Sequence, residues 1–475
     1  MNFPEIIQGG MGIGVSGWQL ARSVSLRGQL GVVSGTALDL VFVRRLQDGD
    51  PGGDMRRALA AFPDQDIVCR ILERYFIEGG RADSSPYKSK PMIGQKPGRR
   101  VQELLVAANF VEVFLAKEGH HGRVGINFLH KIQSPILPSL YGAMMAGVDV
   151  VIVGAGIPLQ VPKVIESLTR GEAAEFDLQM RPGPSGVTHK LAFDPHDVFD
   201  EPAPRLPRPA FFPIVASVTL ATLLIKKCKG QIDGLIIEGP TAGGHNAPPR
   251  GRADLSSDGE PVYGPRDVID LGAIRALGVP FWLAGSFGGP EDLACARAEG
   301  AAGVQIGTIF AFCDESGLTA DLKRDIIQSC QDGTARIQTD PVASPTGFPF
   351  KVISVPGTLS EEPVYEERPR MCDLGYLREA YELADGTIAW RCRAEDPEVF
   401  VRNGGSREDS VGKKCLCNGL MANIGLAQVR KDAYEELPLV TCGDDLSGIL
   451  GIAGRERHSY TSAEVIDYML ACQPV

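Results

Sequence analysis

The sequence predicts an α/β chain folded as a (β/α)8 barrel, a TIM barrel, enlarged by insertions and a C-terminal extension. Three observations carry that expectation. Eight short apolar runs lie between positions 6 and 308, most of them closed by Gly, Asn or Ser. The runs are continuous rather than alternating, which suits strands buried on both faces of a parallel sheet. No Rossmann-type glycine-rich turn follows the first run, and this favours a closed barrel over a doubly wound sheet. A chain of 475 residues has room for one barrel of about 250 residues plus additions.

The runs are, in order, Ile6-Ile7-Gln8, residues 30–35, 124–128, 148–153, 212–217, 232–237, 280–286 and 303–308. Helical stretches such as 139–146 and 290–299 lie between them. Three segments do not fit a minimal barrel. Residues 50–105 lengthen one connection and carry Lys88, Lys90, Lys96, Arg99 and Arg100. The stretch from Lys88 to Arg100 forms either a solvated loop or a lid or phosphate-binding loop. Residues 170–212 are rich in Pro, with Arg181-Pro182-Gly183-Pro184 and then 202–209. That composition reads as an excursion over the barrel mouth or an interface segment. Residues 321–475 form a mostly helical extension with Cys372, Cys392, Cys415 and Cys417. The division is thus a barrel over 1–320 and an extension over 321–475.

Charge and cysteines bound the function. The formal net charge is 48 minus 59, or -11, which argues against general affinity for nucleic acid or anionic membrane. The start lacks the basic and apolar regions of a signal peptide, and no apolar run is long enough to span a bilayer. The 11 cysteines are mostly scattered. The expectation is a reduced, cytoplasmic protein whose cysteines are thiols. The spacing of the four C-terminal cysteines fits no Cys-x-x-Cys pair, so no metal is assigned.

The chemistry gathers where barrel strands end. The sixth run delivers Glu238-Gly239-Pro240-Thr241-Ala242-Gly243-Gly244-His245-Asn246. Its glycines let backbone approach a ligand, and His245 then stands over that ligand as an acid or base. An unperturbed imidazole exchanges its proton near pH ~6.5. The seventh and eighth runs end in Gly285-Ser286 and Gly307-Thr308, where such barrels commonly hold phosphate. A helix starting at Pro290 adds a favourable dipole. Gly9-Gly10-Met11-Gly12 offers close approach to a flat ring, and Asn127 ends the third strand with an amide. Each of these also has a plain structural reading, as a tight turn or a core amide.

Together these motifs resemble the FMN-dependent nitronate monooxygenase family, formerly the 2-nitropropane dioxygenases. Related groups are the FMN-dependent enoyl-acyl-carrier-protein reductases and the PfaD-like reductases. The resemblance spans roughly residues 4–315. It implies FMN held by Gly10, Met11, Gly12, Asn127, Glu238, Gly243, Gly244, Gly285, Ser286, Gln305, Gly307 and Thr308. It implies His245 as the active-site histidine. Three departures stand out. The family often has Gln where Glu238 stands, though the enoyl reductases can carry Glu. His245 is followed by Asn246-Ala247-Pro248-Pro249-Arg250-Gly251 instead of a shorter continuation. The length and the Cys415-Leu416-Cys417-Asn418 run look more PfaD-like. Arg250 and Arg252 either meet a substrate phosphate or carboxylate or face solvent. The first expectation is oxidation of a nitronate or nitroalkane by oxygen. The alternative is an NAD(P)H-dependent enoyl-thioester reductase, with acyl carrier protein as partner, and the third is a non-catalytic scaffold. Homo-oligomerisation stays open.

Overall fold

The computed structural model describes residues 3–180, 186–200, 202–251, 254–430 and 433–471. Residues 181–184 of the Pro-rich motif, and Arg252, lie outside the described residues. Eight parallel strands form one sheet: β1 (Ile6–Gln8), β2 (Gly31–Ser34), β3 (Val124–Leu129), β4 (Val150–Gly154), β5 (Ala210–Val215), β6 (Leu235–Glu238), β7 (Phe281–Ala284) and β8 (Gly303–Ile306). Each strand pairs with its neighbours in sequence, and β8 pairs with β1. The ring closes where Ile7 bridges Leu30 and the Gln8 N–H donates to the Leu30 carbonyl at 2.9 Å. Buried Gln8 adds a staple, since its Oε1 accepts from the Val32 N–H at 2.9 Å. All eight apolar runs contain a strand. The sixth differs in register: its strand begins at Leu235, not at 232, and ends on Glu238 itself.

The continuous runs have a simple cause. Ile7, Val32, Ile152, Phe212, Ile236 and Trp282 point into the barrel and pack on one another. Their neighbours Ile6, Val33, Val151, Phe211, Ile237 and Leu283 point outward into the core beneath the helices. Both faces are therefore apolar, as a helix-covered parallel sheet requires. Trp282 is fully buried, stacks on Phe212 at 4.9 Å and closes the barrel floor by donating to the Pro4 carbonyl.

The first insertion carries helices Asp54–Leu59 and Gln65–Tyr75, and its basic stretch is a loop from 88 to 98, where the next helix begins. Its basic stretch is largely spent within the fold. Lys90 pairs with buried Asp39 at 2.7 Å, and Arg99 pairs with Glu103 at 3.1 Å. The second insertion forms an antiparallel hairpin, Ala174–Asp177 with Lys190–Phe193. Buried Phe176 and Phe193 fix it to the outer core beside helices Val161–Thr169 and Ile136–Met145, not across the mouth.

After residue 320 the chain combines helices with two further hairpins, Ile337–Asp340 with Phe350–Ile353 and Glu379–Glu382 with Ile388–Arg391. A buried bidentate pair, Arg368 to Glu436 at 2.7 and 2.8 Å, ties distant parts of this segment together. Helix Ser462–Leu470 packs on helices Trp18–Leu26 and Pro290–Ala298 of the barrel ring. Among the described residues no helix is long and apolar enough to cross a membrane.

Candidate active site

A cavity of about 210 Å³ opens at the C-terminal ends of the strands. Its lining includes Gly10, Met11, Gly12, Asn127, Glu238, Gly243, Gly244, His245, Gly285, Ser286, Gln305, Gly307 and Thr308. His245 and the twelve residues that the resemblance implied for FMN thus line one cavity. They come from five different strand ends, which only a closed barrel brings together.

The β1 loop is built for close approach. A Cβ on Gly10 would stand 2.4 Å from Cβ of Asn127, so only glycine fits there. Buried Ser16 locks the loop by accepting from the Met11 N–H at 2.9 Å and donating to the Gly9 carbonyl at 2.9 Å. Two amide oxygens at the cavity, Oδ1 of Asn127 and Oε1 of Gln305, are buried without a partner among the described residues. An orphaned acceptor in a pocket wall calls for a donor from a bound molecule.

At the opposite wall the β7 and β8 loops offer donors. The N–H groups of Ser286, Phe287, Gly288, Gly307 and Thr308 donate to nothing among the described residues. Ser286 holds a left-handed φ of 55°, a conformation disfavoured for a residue with a Cβ. These features suit a phosphate. Two details run the other way. Asp292 already caps helix Pro290–Ala298 by accepting from the Gly289 N–H at 2.8 Å, which offsets part of the helix dipole. The Thr308 hydroxyl accepts from the Gly443 N–H at 2.9 Å, leaving its O–H as the free function.

His245 and Glu238 carry the titratable chemistry. Burial, reinforced by the Lys131 charge, lowers the imidazole to about 4. Burial alone raises the Glu238 carboxyl to about 7. Both groups are therefore mainly neutral in slightly acidic solution. The His245 ring stands edge-on to Phe350 at 4.9 Å, and its Nε2 lies 2.7 Å from the Ser344 hydroxyl. The other ring nitrogen, Nδ1, has no hydrogen-bond partner among the described residues, which leaves it for a bound molecule.

The sequence did not reveal that residues beyond 320 build a quarter of this wall. Phe350, Tyr376, Leu377, Leu416, Cys417, Leu420, Thr441, Cys442 and Asp445 all line the cavity. The His245 loop pairs with this segment like a strand. The Asn246 N–H donates to Pro349 at 3.0 Å, and the Lys351 N–H donates to Gly244 at 3.0 Å. Its only sequence signal was the Cys415–Asn418 run. Tyr376 and Leu377 also line a second cavity of about 450 Å³, with Lys131, Arg378 and Arg393 in its wall. None of the five basic residues of the first insertion lines the mouth cavity. Arg250 is spent on backbone: its guanidinium donates to the carbonyls of Arg266 and Ala216. Cys372, Cys392, Cys415 and Cys417 gather round a small void as free thiols. Among the described residues no group of three or more His, Cys, Asp or Glu is placed to hold a metal ion.

Residues 207–341 match the family model described as nitronate monooxygenase. That stretch contains β6, β7, β8 and His245, and it bears out the resemblance read from the motifs. A carboxyl-CoA dehydrogenase of Mycobacterium tuberculosis, (3aS,4S,5R,7aS)-5-hydroxy-7a-methyl-1-oxo-octahydro-1H-indene-4-carboxyl-CoA dehydrogenase, is 31% identical over 121 residues. The match covers 26% of this chain and 31% of that relative, so it spans less than a third of the relative's length. Solved structures with a similar fold include FabK from Thermotoga maritima, at 16% identity and a TM-score of 0.45 over 98% of this chain and 92% of that one. A nitroalkane oxidase from Streptomyces ansochromogenes has 15% identity and a TM-score of 0.48, over 98% and 95% of the two chains. The enoyl reductase domain of MlnA from Bacillus amyloliquefaciens has 11% identity and a TM-score of 0.47, over 98% and 92%.

Proposed function

We propose that this chain is an FMN-dependent oxidoreductase that oxidises a nitronate or nitroalkane with oxygen. The observation that carries the reading is a single cavity joining orphaned amide acceptors, open backbone donors and a neutral histidine. The family match over 207–341 supports it. When bound, FMN supplies the electron chemistry. The chain's own residues supply the rest. Gly10 leaves room for a flat ring. Oδ1 of Asn127 and Oε1 of Gln305 would accept hydrogen bonds from it, and the β7 and β8 loops would donate to its phosphate. Glu238, neutral below about 7, donates a hydrogen bond where the family commonly has an amide. His245 stands beside the reacting carbon and takes its proton.

A second reading, an NAD(P)H-dependent reductase of enoyl thioesters on acyl carrier protein or coenzyme A, is favoured by the second cavity. Its cationic wall of Lys131, Arg378 and Arg393 suits a phosphorylated arm, and it adjoins the first cavity through Tyr376 and Leu377. Anaerobic mixing of the flavin-loaded protein separates the two. Bleaching of the flavin absorbance by ethylnitronate but not by NADPH is the expected result. The reverse moves the function to the reductase. A protein that takes up no added FMN leaves only the scaffold. His245→Ala is expected to keep flavin and lose turnover.

A further inference from the structure

We infer that Ser344 and Thr346 form a hydroxyl relay carrying the His245 proton out of the mouth cavity into the second cavity. The inference rests on the proposed role of His245 in proton transfer. Nε2 of His245 lies 2.7 Å from Oγ of Ser344, and Oγ of Ser344 lies 2.8 Å from Oγ1 of Thr346. Ser344 is fully buried, whereas Thr346 is only partly buried and lines the second cavity. The chain therefore runs from the imidazole at the mouth cavity to a second open space in two short steps.

The supporting loop is firmly held. Asp340 accepts from the N–H groups of Val342 and Ala343 at 2.8 and 2.9 Å, and the Thr346 N–H points at the Ser344 hydroxyl at 3.2 Å. Hydroxyls pass protons because each accepts one while releasing another. The need for export follows from the site. His245 is partly buried beside aromatic Phe350, and the Lys131 charge opposes a second positive charge there. An imidazole so placed does not store a proton at neutral pH, and the hydroxyl at Nε2 gives a proton arriving at Nδ1 a way out.

The step balances without an added oxidant. The α C–H bond of a nitroalkane breaks, and its electron pair stays on the substrate as the nitronate. The proton goes to Nδ1 of His245. The Nε2 proton passes to Ser344, the Ser344 proton to Thr346, and the Thr346 proton to water in the second cavity.

The test uses the flavin-loaded full chain with neutral nitroethane and with preformed ethylnitronate, which needs no proton removed. Ser344→Ala and Thr346→Val are expected to lower the nitroethane-to-ethylnitronate ratio of kcat/KM by about tenfold or more. The solvent deuterium isotope effect on nitroethane turnover rises in both variants, and Ser344→Thr restores the ratio. Thr346 is not a hydrogen-bond partner of His245, so a merely structural role for Ser344 leaves Thr346→Val unaffected. A ratio within about twofold of the parent in both variants, with His245→Ala inactive, overturns the relay and spares the function. Turnover of nitroethane by His245→Ala, or of neither substrate by the parent, removes the proposed function and the relay together.

Discussion

At the scale of residues, burial moves two groups in opposite directions, and each movement has a measurable consequence. A base must be neutral to accept a proton. With His245 at about 4, kcat/KM for nitroethane is expected to fall only as pH drops through about 4. An acid limb near the ordinary histidine value of ~6.5 shows instead that the ring is solvated. Glu238 behaves the other way. Its folded value of about 7 lies above the ordinary 4.5. The stability it contributes as a neutral carboxyl is fully present below 4.5 and lost as pH rises through 7. Glu238→Gln removes that titration. It is expected to stabilise the fold at pH 8 by up to ~3 kcal/mol, less where cavity water screens the charge, and by little at pH 5. Urea unfolding at the two pH values checks this, and an equal gain at both contradicts it.

At the scale of elements, the loop after β6 is wedged rather than free. A Cβ on Gly243 would stand 2.7 Å from the Cys442 carbonyl carbon and 2.8 Å from the Gly443 nitrogen, both backbone atoms. Gly243→Ala therefore pushes the 441–443 segment off the cavity. It is expected to weaken FMN binding at least tenfold, read by fluorescence titration. Gly244→Ala meets no neighbour but must hold φ at 78°, so strain alone acts there, at roughly 1 kcal/mol. Comparable losses in the two variants contradict the wedge. This contrast also marks how far the sequence could be read. The strands were legible because both faces are buried, which leaves continuous runs such as that ending in Ile236 and Ile237. The site residues were legible because barrel sites sit at strand ends. The pairing of Gly244 and Asn246 with residues 349–351 was not legible, since a contact across a hundred residues leaves no local periodicity. Lys90 was read within a solvated or phosphate-binding loop, yet it is a buried ion pair whose partner, Asp39, lies far off in sequence.

At the scale of the molecule, the C-terminal segment and the barrel share one core. Tyr460, Val465, Ile466 and Met469 belong to the same buried cluster as Leu20, Val24 and Ile309. The Tyr460 hydroxyl donates to the Ile309 carbonyl at 2.9 Å, just past the end of β8. Ser462 meets Ser23 at 2.7 Å. Removing the segment would strip apolar cover from helices Trp18–Leu26 and Pro290–Ala298 and take away the wall around Tyr376, Leu416 and Cys442. Each large side chain so exposed costs about 1.5–3 kcal/mol, and a handful equals the whole stability of an ordinary domain, about 5–15 kcal/mol. A chain cut after residue 320 is therefore expected to be insoluble or to lack a cooperative transition. The full chain is expected to unfold in one calorimetric step, with bound FMN raising its Tm as a whole. Two separable transitions, with only the first sensitive to FMN, or a soluble truncated barrel that retains FMN, would show that the extension folds on its own and that the cavity wall it supplies is dispensable.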